Sequence, residues 1–215
     1  MSQQNIDVVK VPEEWIVSGG KGVTVAVIDS DVCNNANYNV IKKYRMHNNG
    51  IGKTSHCDSV CNIISKVAPF CKIIVSQAIN GKTGTYNCLT KAIDNILEED
   101  VDIVNFSLSS KEDKDIIRSR VFKLSEKSIV IASMANNGSK SFPAEYDCVV
   151  SVSSFKKSDI SADIYCDDSF IFGNDKIKKT GNSMSTAFVS GIFALAKSYN
   201  KDYTKDDIIK QLLGK

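Results

Sequence analysis

Five runs rich in β-branched residues recur along the chain: VTVAVID (23–29), KIIVSQ (72–77), VDIVNFSL (101–108), SIVIAS (128–133) and CVVSVSS (148–154). They are continuously apolar rather than alternating, so strands made from them are buried on both faces. Helical patterns lie between them at 56–67, 86–99 and 112–126. Strand and helix in that rhythm predict an α/β fold, a mostly parallel doubly wound sheet with helices on both faces. Ligands of such sheets meet the carboxyl ends of the strands, which directs attention to polar residues that follow an apolar run.

Two helices are predicted near the end. NSMSTAFVSGIFALAKSYN (182–200) is apolar nearly all round from Ala187 to Ala196, as a helix buried inside a domain must be. TKDDIIKQLLG has Thr204 placed to cap a final amphipathic helix and Gly214 to stop it. With 215 residues, 42% of them hydrophobic, the chain is long enough for one substantial core, and a single domain over 1–215 is expected.

Charge and cysteine content exclude several function classes. The 27 basic and 25 acidic residues leave a formal charge of +2, so no global field recommends nucleic acid or an anionic membrane as partner. The first twenty residues lack the apolar segment of a secretion signal, and no apolar run reaches the ~20 residues that span a bilayer. A cytoplasmic protein without membrane insertion is expected. Seven cysteines form an odd set without a repeated CxxC framework, which fits buried apolar thiols rather than a disulfide scaffold.

Three polar residues stand where chemistry could occur, and each has a structural alternative. Asp29 ends the first strand, where a carboxylate sits at the sheet rim, although the DSD sequence also suits a turn. His56 heads the inward stripe of the first long helix with Val60, Ile63, Ile64 and Val67. It could be a core histidine, a base, or a metal ligand beside Cys57 and Cys61, but no second Cys/His pair completes a four-ligand set. Ser183 precedes the buried helix, where it could serve as N-cap or as a nucleophile near free backbone N–H groups. A serine hydroxyl needs a histidine to become nucleophilic, and that histidine needs a carboxylate to hold its tautomer.

The sequence surrounding these residues resembles the subtilisin-like serine proteases, the subtilase or S8 peptidase family. GVTVAVIDSDV is similar to the family's aspartate motif, SHCDSVCNIISKVAPFCKIIVSQAIN to its histidine helix and following strand, and GNSMSTAFVSG to its Gly-Thr-Ser-Met-Ala serine motif. IVNFSLSS resembles the substrate-binding strand, and IVIASMANNGSKSFPAEYDCVVSVSS the oxyanion-asparagine segment with the strand after it. The resemblance runs from Trp15 to Ala196 and implies a three-layer subtilisin-like fold. It makes Asp29 the orienting carboxylate, His56 the general base and acid, Ser183 the acyl-forming nucleophile and Asn136 the oxyanion donor. Asn137 is the alternative donor one residue along, and His47 a rival base. Substrate contacts fall on Ser107, Leu108, Ser109, Ser133, Met134 and Ala135.

Some positions depart from the family pattern. Cys57, Asp58 and Ser59 follow the histidine where Gly-Thr-His is usual, which places a thiol beside the site. Ser109 and Ala135 replace glycines at the border of the primary specificity pocket and are expected to narrow it to compact residues. No cofactor is expected, since no acidic loop is assigned as a calcium site. The leading expectation is a short, monomeric, cytoplasmic endopeptidase without a prodomain. Its partner would be a peptide or protein substrate, such as the precursor of a ribosomally made modified peptide or bacteriocin. General intracellular protein turnover, a peptide-binding protein of weak or absent activity, and a thiol or metal sensor built on Cys57, Cys61 and Cys71 are the alternatives.

Overall fold

A computed structural model describes residues 11–32, 38–46, 56–80, 83–154, 162–165, 170–172 and 177–214. The apolar runs form a seven-stranded sheet in which every pairing is parallel. In chain order the strands are β1 (Thr24–Asp29), β2 (Val40–Tyr44), β3 (Lys72–Gln77), the short hairpin β4 (Ile79–Asn80) and β5 (Thr83–Gly84), β6 (Ile103–Phe106), β7 (Ile129–Ser133), β8 (Val149–Ser153), β9 (Ile164–Tyr165), and the hairpin β10 (Phe170–Phe172) and β11 (Ile177–Lys179). The helices are α1 (Glu13–Ser18), α2 (His56–Val67), α3 (Tyr86–Leu97), α4 (Asp115–Ser125), α5 (Asn182–Tyr199) and α6 (Lys205–Leu213). The sheet order β2-β3-β1-β6-β7-β8-β9 has β1 near its centre.

Alternate residues of β1 feed two cores. Val25 and Val27 pack with Trp15 of α1, Val60 and Ile64 of α2, Phe193 of α5 and Ile208 of α6. Ala26 and Ile28 pack with Ile93 and Ile96 of α3 and Val121 and Leu124 of α4 on the other face. Helices therefore cover both faces, which is why these strands are continuously apolar. The two helices of the site cross closely: a Cβ on Gly191 of α5 would stand 2.6 Å from the Val67 Cβ of α2.

Several predicted boundaries move. The third run leaves the ladder after Phe106, and Ser110 instead makes an isolated antiparallel bridge with Phe142. The helix expected from 112 begins at Asp115. Ser110 Oγ accepts the Glu112 N–H, and Asp113 pairs with Arg118. At the last helix Thr204 caps as expected and completes a capping box with Asp207, and Gly214 ends it in the left-handed region at φ 65°.

Candidate active site

The register places three strand ends side by side. Ile28 pairs with Phe106 and Phe106 with Ala132, so Asp29, Ser107 and Ser133 occupy the next level, at the carboxyl edge of the sheet. Asp29 is wholly buried at the end of β1. Its charge is met locally: Ser30 N–H donates to Oδ1 at 2.5 Å, and His56 Nδ1 stands 3.0 Å from Oδ1 and 2.8 Å from Oδ2. An ionised carboxylate only accepts, so this contact assigns the ring proton to Nδ1 and leaves Nε2 of a neutral imidazole as a base. The His56 side chain is 40% exposed against 0% for Asp29, so the ring links a buried charge to the surface.

His56 is held by the first turn of α2. The Cys57 N–H, unpaired within its own helix, donates to Ser30 Oγ at 3.2 Å. One serine thus supports both partners, its amide on Asp29 and its hydroxyl on the helix that carries His56. Cys57 faces inward, fully buried, with Sγ 3.8 Å from Cys61 Sγ. Burial first, and the neighbouring Cys61 thiol second, push the Cys57 thiol well above its ordinary range. Among the described residues no group of three or more His, Cys, Asp or Glu side chains is arranged to hold a metal ion.

Ser183 is the second residue of α5. The N-cap is Gly181, at φ 122°, and not Ser183. Of the first three amides of this helix, Asn182 N–H goes to Asn136 Oδ1 at 2.8 Å and Met184 N–H to the Gly181 carbonyl at 2.8 Å. The Ser183 N–H between them remains as a donor at the positive end of the helix. The Ser183 hydroxyl donates to the Ser107 carbonyl at 3.0 Å.

Asn136 is exposed beside this helix start. Because its Oδ1 accepts a main-chain N–H, its amide nitrogen is the free donating end. A Cβ at position 181 would come within 3.4 Å of that Oδ1 and 3.5 Å of Nδ2, so glycine leaves room for the carboxamide to lie against the backbone. Asn137 turns elsewhere, its Oδ1 accepting from the amide and hydroxyl of Ser139. His47 lies outside the described residues.

The six residues expected to contact substrate have different surroundings. Ser107, Ser133 and Met134 are buried, Leu108 and Ala135 half-buried, and Ser109 exposed. The Ser107 hydroxyl donates to Asn105 Oδ1 at 2.8 Å, and Asn105 Nδ2 donates to Ser190 Oγ at 2.9 Å. This buried chain ties β6 to α5 beneath Ser183. Asn182, wholly buried, ties the same helix to the residues that follow β7 and β8: its Nδ2 donates to the Met134 carbonyl, and its Oδ1 accepts from the Ser154 amide and hydroxyl. Sequence reasoning missed Ser30, Asn105, Asn182 and Ser190. The signal was present as polar residues inside segments otherwise destined for the core.

Comparison with known proteins adds to this geometry. The model of the subtilase family matches residues 44–165 and 158–215. The chain is 24% identical to the major intracellular serine protease of Bacillus subtilis (strain 168), over 93% of this chain and 76% of that protein. It is 23% identical to the intracellular serine protease of Paenibacillus polymyxa, over 98% and 78%. A crystal structure of a cold-adapted subtilisin-like serine proteinase superposes with a TM-score of 0.74 at 22% identity, covering 89% of this chain and 81% of the other. The prenylagaramide maturation protease PagA superposes with a TM-score of 0.65 at 20% identity, covering 87% and 80%.

Proposed function

The chain belongs to the subtilase family of serine proteases, and on that premise we propose that it cleaves peptide bonds through Asp29, His56 and Ser183. The observation that carries the assignment is the buried Asp29 carboxylate on His56 Nδ1, at the sheet edge where the Ser107 carbonyl receives the Ser183 hydroxyl. In the reacting arrangement the Ser183 hydroxyl gives its hydrogen bond to His56 Nε2 instead of the Ser107 carbonyl. His56 then takes the proton as Oγ attacks the scissile carbonyl, while Asp29 stabilises the imidazolium without being protonated. The developing oxyanion is met by the Ser183 N–H and Asn136 Nδ2. His56 returns the proton to the leaving amine, and water releases the acyl group by the same steps in reverse.

The substrate is a precursor peptide with a compact residue before the scissile bond, and the protease acts inside the cell. Exposed Ser109 and half-buried Ala135, where the family has glycine, support the narrowed pocket. The two relatives named as intracellular proteases support the location, and PagA, a maturation protease by name, supports the processing role. One preparation tests both levels. A serine-directed fluorophosphonate should label Ser183 and fail to label His56→Ala, and peptides with Ala or Ser before the cleaved bond should outperform those with Phe. Labelling that survives His56→Ala refutes the triad; a preference for Phe refutes the pocket.

A further inference from the structure

At the opposite end of the sheet, the starts of β6, β7 and β8 and the turn between α5 and α6 border an open cavity of about 380 Å³. Lys127, Lys197 and Lys205 stand in its wall, from three separate places in the chain. A long lysine side chain loses rotamer entropy when fixed, so three fixed around one cavity require an explanation. Here main-chain carbonyls do the fixing. Lys127 Nζ donates to Leu97 at 2.6 Å and Glu99 at 2.7 Å, Lys197 Nζ to Lys201 and Tyr203, and Lys205 Nζ to Asp147.

Carbonyls satisfy the N–H groups but carry no net charge. Among the described residues none of the three ammonium groups makes a direct ion pair with a carboxylate. Two aspartates share the wall. Asp102 is already engaged, by Lys201 Nζ at 2.6 Å and the Thr24 amide at 2.8 Å. Asp202 makes no ion pair among the described residues, so the wall carries two carboxylates, one of them already paired, beside three lysines. Burial holds the Lys197 ammonium below its ordinary proton affinity, so a nearby anion would restore what desolvation removes. Tyr203 and Ile129 supply apolar wall between these charges.

We propose that this cavity binds a small organic anion, a carboxylate or phosphate monoester on an apolar body the size of one ring. Lys127, Lys197 and Lys205 hold the anionic group, and Tyr203 and Ile129 cover the body. Nothing in this site depends on the peptidase chemistry at the far edge.

Half-buried Cys148 in the cavity wall makes the test direct, and half-buried Cys88 on α3, outside the cavity, is the internal control. The full chain is alkylated with N-ethylmaleimide, with phenyl phosphate or with potassium chloride at equal ionic strength, and each thiol is followed by peptide mass spectrometry. Phenyl phosphate should slow Cys148 severalfold and leave Cys88 unchanged, and the protection should be lost in Lys197→Met and in Lys205→Met. Lys205 lies outside both cores, and an unaltered Cys88 rate reports that either variant is folded. Equal slowing of both thiols, equal protection by chloride, or protection undiminished in Lys205→Met overturns the proposal.

Discussion

At the scale of single residues, the site depends on how few atoms are shared. Ser30 serves Asp29 with its amide and α2 with its hydroxyl, and Asn136 serves α5 with its oxygen and the oxyanion with its nitrogen. Asn136→Ala is therefore expected to lower kcat about 10²–10³-fold with little change in KM, because the donor acts only as charge develops. Steady-state kinetics on one peptide decides it; a rise in KM at constant kcat would mean ground-state binding instead. Asp29, His56 and Ser183 were legible because each ends or begins an apolar pattern, where a polar group has to be explained. Asn182, Asn105 and Ser190 were not. The partners that tie them to other elements lie 28 to 85 residues away, and such pairings appear only when the strands are assembled.

Among the elements, α2 and α5 set the distance between base and nucleophile, and they touch where Gly191 meets Val67. Gly191→Ala would place a Cβ 2.6 Å from the Val67 Cβ and 3.3 Å from the Ile64 carbonyl, so the helices must part. A loss of about 1–3 kcal/mol is expected, or roughly 2–4 °C in Tm for each kcal/mol in a chain of this size. The companion Val67→Ala removes the Cγ1 contact at 2.9 Å but keeps the Cβ, so it should recover only part of that loss in thermal melts; full recovery would exclude the Cβ contact as the main strain. The bounds of α2 matched its apolar stripe, because the middle of that face, Val60, Ile63 and Ile64, is buried. By contrast, α1 is six residues long and β2 is a partly exposed edge strand reading VIKKY, so neither shows the periodicity that reveals buried elements.

For the whole molecule, both-face burial made the sheet readable in advance, whereas the lysine-lined cavity was not readable because its residues come from separate segments. Buried thiols have a further, global effect. Burial pushes the Cys71 thiol from an ordinary value of 9.0 up to about 12, and the Cys57 thiol moves the same way. The unfolded chain releases those protons near pH 9 while the folded chain keeps them. Stability is therefore full below pH 9 and falls above it, by up to ~1.4 kcal/mol per pH unit for each thiol until its folded value is reached. Urea denaturation at pH 8 to 10 should show Cys71→Ala losing less stability than wild type across that range; parallel losses would exclude the thiol as the cause.

Helix α5 also has a consequence for biosynthesis. It packs against β1, β6, β7 and β8 as well as α1 and α2, yet it is among the last described elements to leave the ribosome. Until it emerges, the central strands lack the helix that covers one of their faces, and Asp29 and His56 have no serine to activate. A chain still being translated therefore holds a base without a nucleophile, and the order of synthesis itself delays proteolysis until α5 has emerged.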